Sequence, residues 1–272
     1  MTLLKIALTL FAAGYLGLTA ALFFLQRNFI YHPATERVSP SSAGLDGFLE
    51  VNIGDWPAIS WWRPPQSDAD PIILYFHGNA GSLPYYAYEL NGIASWGAGV
   101  LAVGYPGYGG NDGAPSETGM RAAALANYAW LRDQGFGAER IVIYGHSLGS
   151  GVAVDLAATS DAAGLIVSAP FTSMAAMAQK QLPYLPAAVL VRDRYDSLAK
   201  MGGVAMPLGW VHGRQDALIP EHMGRKLFDV AAGMKCAHIL PNAGHNNVWA
   251  RGGGAFVRDQ AYAFITGAAC AR

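Results

Sequence analysis

From residue 48 onward, short runs that are apolar at every position alternate with longer stretches of helical periodicity, and this alternation limits the possible folds more than any other feature. Strands are predicted over 72–76, 99–104, 141–144, 165–168, 208–211 and 237–240, and helices over 84–95, 116–134, 148–158, 221–230 and 255–265. A strand with no polar side must be covered on both faces, which in a strand–helix alternation means a parallel sheet between two layers of helices. Two earlier runs, 48–53 and 58–62, read as antiparallel neighbours at one edge. Residues 171–206 break the rhythm. This segment is longer than an ordinary loop and is predicted to hold a small cap.

Ahead of this domain, residues 6–25 carry no charge and are bounded by Lys5 and Arg27. About 20 apolar residues in a helix match a hydrocarbon core of roughly 30 Å. A cleaved signal peptide is the rival reading. The run is longer than a signal peptide's apolar region and ends in Phe23-Phe24-Leu25 where a small-residue cleavage site is needed, which favours a retained single-pass anchor. Charges at the two ends balance, so the sequence assigns no side of the membrane. The expected organisation is an anchor over 1–27, a linker over 28–47 and one domain over 48–272.

Composition excludes some classes of function. With 52% hydrophobic and 14% charged residues the chain is no disordered scaffold, and a net charge of -1 without a basic cluster gives no footprint for nucleic acid. Cys236 and Cys270 lack metal-ligand spacing, and the sequence leaves open whether they pair.

The chemistry concentrates where the predicted strands end. Gly145-His146-Ser147-Leu148-Gly149 matches G-x-S-x-G, which places a serine on a sharp turn between a strand and a helix. The motif follows one apolar strand and precedes a helical run, the setting it requires. A serine hydroxyl needs a base, and the base needs an orienting acid. Where such an elbow tops a parallel sheet, the acid and then the base follow in chain order. His245, in the turn after the last strand, is the candidate base, with His222 as its rival. Asp216, just beyond the strand over 208–211, is the candidate acid, and Asp193 and Asp196 in the cap segment are rivals. The backbone N–H groups of Leu148 and of Asn79, or of Ala80 beside it, are the candidate oxyanion donors. His77 reads as a structural residue holding that loop.

Taken together, these motifs resemble the α/β-hydrolase superfamily, and within it the membrane-anchored serine hydrolases that include lysophospholipid lipases and protein depalmitoylases. The resemblance rests on Tyr31-His32-Pro33, His77-Gly78-Asn79-Ala80-Gly81, Gly107-Tyr108-Gly109, the elbow, Pro170-Phe171-Thr172-Ser173, residues 213–220 and Gly244-His245-Asn246. It implies a mostly parallel eight-stranded sheet and a Ser147–Asp216–His245 triad that uses no metal and no organic cofactor. Relatives often carry an acidic and a basic residue before Gly107 where this chain has Gly104-Tyr105-Pro106, so no relative's substrate preference carries over. The expected activity is hydrolysis of carboxylic esters or thioesters of lipophilic acyl groups. The alternatives are a peptidase or acyltransferase using the same triad, or a membrane-tethered binding protein retaining the fold.

Overall fold

A 29-residue helix, α1 (Thr2–Ile30), opens the chain and is long and apolar enough to cross a membrane. The computed structural model describes residues 2–53, 58–268 and 270. The helix runs three residues past the boundary expected at 27, and the chain after it does not hang as a free linker. A two-residue strand β1 (His32–Pro33) pairs in parallel with β5 (Ala80–Gly81), and Tyr31 and Leu45 are buried in the domain.

The main sheet has eight strands: β2 (Leu49–Asn52), β3 (Ile59–Arg63), β4 (Ile72–Phe76), β6 (Gly99–Ala102), β7 (Ile141–His146), β8 (Gly164–Ser168), β9 (Leu208–Gly213) and β10 (Lys235–Leu240). Their spatial order is β10-β9-β8-β7-β4-β6-β3-β2. All neighbours are parallel except β2 with β3 and β3 with β6, as the patterning of the first two strands implies. The five strands from β6 to β9 are buried at every position, while the edge strands β2 and β10 are partly exposed. This explains why the central runs showed no polar alternation.

Helices cover both faces. After the 3-10 turn Leu83–Tyr86 come α2 (Ala87–Ser95), α3 (Glu117–Asp133) and α4 (Leu148–Ala157), the last buried along its whole length. The stretch predicted as one helix over 84–95 thus begins as a tighter 3-10 turn, with Pro84 near its start. The cap consists of α5 (Met174–Gln181), α6 (Ala187–Leu190) and α7 (Ser197–Met201), and α8 (Glu221–Val230) and α9 (Gly254–Ile265) complete the layers. Ser116 and Ser173 start α3 and α5 by accepting the N–H of Gly119 and Ala176, satisfying donors that a helix start leaves orphaned. Cys236 on β10 and Cys270 form a disulfide that fastens the chain beyond α9 to the sheet edge.

Candidate active site

The turn from β7 into α4 has no room for side chains on either flank of Ser147. A Cβ on Gly145 would stand 2.4 Å from the Gly149 carbonyl oxygen, and one on Gly149 would stand 2.1 Å from the Phe76 oxygen. Glycine at both places lets the helix start directly against the neighbouring strand. Ser147 itself takes φ 52° and ψ −120°, a conformation that a non-glycine residue adopts only when its surroundings impose it. Its N–H is held by Ser168 O at 2.9 Å, and Ser150 Oγ donates to its carbonyl at 2.6 Å. The hydroxyl is thereby presented where β7 ends.

The loops after β9 and β10 bring two further residues to the same place. Ser147 Oγ lies 2.9 Å from His245 Nε2, and His245 Nδ1 lies 2.7 Å from Asp216 Oδ2. With Nδ1–H donating to the carboxylate, Nε2 is left to accept the serine proton. Asp216 Oδ1 accepts the N–H groups of Leu218 and Ile219 at 2.9 and 2.8 Å, which fixes the carboxylate plane. Burial opposes its charge, but hydrogen bonds from His212, His245 and Ile219 outweigh that and hold the carboxyl well below its ordinary range.

His212 is a member of this cluster that sequence reasoning missed. Trp210 Nε1–H donates to its Nδ1 at 3.3 Å, so the proton sits on Nε2, which faces Ile219 O at 2.9 Å and Asp216 Oδ2 at 3.4 Å. The i,i+4 spacing of His212 and Asp216 was visible in the sequence. That the strand end and its turn would bring them face to face was not.

The rival candidates lie elsewhere. His222 is exposed on α8, Asp196 caps α7 by accepting the Ala199 N–H, and Asp193 is paired with Arg27. Burial pushes His77 down to about 4, and its Nδ1 faces Gly78 O, as befits a neutral loop-holding residue packed on Tyr105. His146 is pushed down to about 3 by burial and by neighbouring His245, so it too is neutral at pH 7.

Asn79, Ala80 and Leu148 border the same cavity as Ser147 and His245. The Asn79 side chain is used up structurally: Nδ2 donates to Ile30 O, and Oδ1 accepts from Tyr108 Oη at 2.9 Å and His32 N at 3.3 Å. Leu148 is the first residue of α4, where backbone N–H groups lack intrahelical partners. The cavity measures about 660 Å³ and continues away from Ser147 between the cap and α1, past Met177, Leu185, Leu22 and Phe23. Among the described residues no cluster of His, Cys, Asp or Glu is arranged to hold a metal ion.

Residues 71–199 match the family described as having the alpha/beta hydrolase fold. An uncharacterized protein of Mycobacterium tuberculosis is 34% identical over 237 residues, covering 85% of this chain and 84% of that protein. The lysophosphatidylserine lipase of Danio rerio is 33% identical over 218 residues, covering 68% of this chain and 57% of the lipase, so the match spans little more than half of that enzyme. Among solved structures, an alpha-beta hydrolase from Vibrio vulnificus superposes with a TM-score of 0.66 at 21% identity, covering 82% of this chain and 88% of its own, a likeness of fold.

Proposed function

Because the chain belongs to the α/β-hydrolase family and is a serine hydrolase of the esterase or lipase type, we propose that it cleaves carboxylic esters or thioesters of lipophilic acyl groups through Ser147, His245 and Asp216. The observation that carries this reading is the continuous run of two short contacts, Ser147 Oγ to His245 Nε2 and His245 Nδ1 to Asp216 Oδ2, opening onto an apolar cavity.

In this mechanism Ser147 Oγ attacks the substrate carbonyl carbon while His245 Nε2 takes its proton. The backbone N–H groups of Leu148 and Asn79 stabilise the oxyanion. As the tetrahedral adduct collapses, His245 returns the proton to the departing alcohol or thiol, leaving an acyl group on Ser147. Water then attacks that ester, again with His245 as base, and Ser147 is regenerated with release of the acid. Asp216 stays ionised throughout, holding the Nδ1–H tautomer and offsetting the imidazolium charge. The bulk of the cavity wall is apolar, which suits a hydrocarbon chain better than a peptide.

Residues 6–25 of α1 serve as a single-pass anchor in this reading, residues 31–47 fasten it to the domain, and residues 48–272 carry the catalysis. The lysophosphatidylserine lipase activity named for the Danio rerio relative supports a lysophospholipid as one member of the substrate class. The Cys236–Cys270 disulfide favours a catalytic domain that faces an oxidising compartment.

A fluorophosphonate probe applied to the detergent-solubilised full chain tests the chemistry. Covalent labelling that is abolished in Ser147→Ala is the expected result; no labelling of folded protein, or equal labelling of the variant, rejects it.

A further inference from the structure

The last turns of α1 do more than join the anchor to the domain. Leu22, Phe23, Gln26, Phe29 and Ile30 border the cavity that reaches Ser147 and His245. Their spacing of i, i+1, i+4, i+7 and i+8 is that of a single helix face. Phe24, on the opposite face, is 75% exposed, while Phe29, at the edge of the cavity-facing stripe, is 62% exposed. At 1.5 Å per residue, the wall from Ile30 to Leu22 extends about 12 Å away from the loop that carries Asn79.

This face is held in fixed register with the cap and the oxyanion loop. Gln26, 8% exposed, accepts the Arg192 N–H through Oε1 at 2.7 Å and donates to Leu190 O through Nε2 at 3.3 Å. Asn79 is bonded to the C-terminal carbonyl of the helix at Ile30. Further along α1, Tyr15 Oη donates to Tyr184 O at 3.2 Å, about 18 Å of helix rise from Arg27. Tyr184 and Val189, both in the cap, are 90% and 81% exposed. The cap therefore runs alongside the same apolar residues that serve as the anchor.

We propose that α1 is one wall of the acyl-chain site: the hydrocarbon chain of the lipid ester lies along its Leu22–Ile30 face, with the carbonyl at Ser147, so the membrane helix sets chain-length selectivity. The inference rests on the catalytic reading above and adds to it that the anchor is a specificity element. A chain lying against this face reaches the serine from the bilayer side of the cap without passing through water, which fits a cavity walled by the anchor itself.

The test uses the full chain in detergent micelles and p-nitrophenyl esters from acetate to palmitate. Leu22→Trp, which fills the far end of the wall, is expected to lower the palmitate-to-acetate ratio of kcat/KM roughly tenfold, the scale on which pockets discriminate apolar groups. Leu22→Ala is expected to move the optimum to longer chains, and Phe24→Trp on the exposed side to leave the ratio as it is. If neither Leu22 variant shifts the optimum while wild type hydrolyses esters, or if Phe24→Trp shifts the ratio as much, the proposal is overturned. An enzyme whose ester hydrolysis survives Ser147→Ala fails at the earlier reading, and this one fails with it.

Discussion

Arg27 and Asp193, 166 residues apart in the chain, meet in a two-pronged pair with Nε to Oδ2 at 2.8 Å and Nη2 to Oδ1 at 3.0 Å. The carboxylate is buried, and Tyr31 Oη donates to it at 3.1 Å while also meeting Tyr195 Oη at 2.9 Å. The end of α1 is thus bolted to the cap, at the turn between α6 and α7.

Arg27→Ala leaves that buried carboxylate short of its cation. The loss expected is about 2 kcal/mol, towards the low end for a buried ionic partner because the Arg27 side chain is 39% exposed. Arg27→Lys restores the charge but not the fork and should fall between. Thermal midpoints in one detergent would check the order, and an alanine variant as stable as wild type would show that the pair contributes nothing.

Gly149→Ala drives a methyl into two backbone carbonyl oxygens, Phe76 at 2.1 Å and His77 at 2.6 Å, neither of which can rotate away. Destabilisation of at least about 3 kcal/mol is expected. Gly14→Ala and Gly17→Ala meet nothing within 4 Å and should be silent. Yield and unfolding midpoint separate the two classes.

His212→Phe removes the 3.4 Å contact of Nε2 with Asp216 Oδ2, together with its bond to Ile219 O, while leaving Ser147 and His245 in place. The carboxyl should then titrate closer to its ordinary range and lose orientation, lowering kcat roughly tenfold with KM little changed. An NMR titration of the Asp216 carboxyl reads the upward shift directly. A fall in kcat with that titration unmoved would point to disturbed packing in place of positioning.

Glu89 accepts a 2.8 Å hydrogen bond from Tyr75 Oη, and burial pushes its carboxyl up to about 7. A group raised in the folded state contributes stability below its unfolded value and loses it as pH rises through the folded one. Between about pH 4.5 and 7, wild type should therefore lose stability relative to Glu89→Gln by up to about 1.4 kcal/mol per pH unit. Above that window the difference should level off. Urea midpoints of the two proteins from pH 5 to 9 read this directly, and parallel curves would contradict it.

Reduction, or Cys270→Ser, opens a link that closes 34 residues of chain. The chain-entropy estimate for a loop of that length is about 4 kcal/mol. A drop in thermal midpoint on adding reductant, absent in the serine variant, would establish it.

Much of the fold and the core of the candidate site were legible in the sequence. The apolar runs could be satisfied only by a sheet covered on both faces, and G-x-S-x-G gained meaning from the strand before it and the helix after it. Asp216 and His245 could be picked out because each closely follows a strand of that sheet. These are local signals, set by periodicity and by the steric demands of a tight turn. Only the tertiary structure decided what depends on residues far apart in the chain. The pairing of Arg27 with Asp193, the contact of Tyr15 with Tyr184, the docking of residues 31–33 on the loop that carries Asn79 and the Cys236–Cys270 link leave no periodic trace. Residues 6–25 mark a candidate membrane anchor by length and lack of charge alone. That one face of its end also walls the cavity at Ser147 was decided by how the cap folds back on it, because a helix face lined with leucine and phenylalanine reads the same against lipid as against a protein interior.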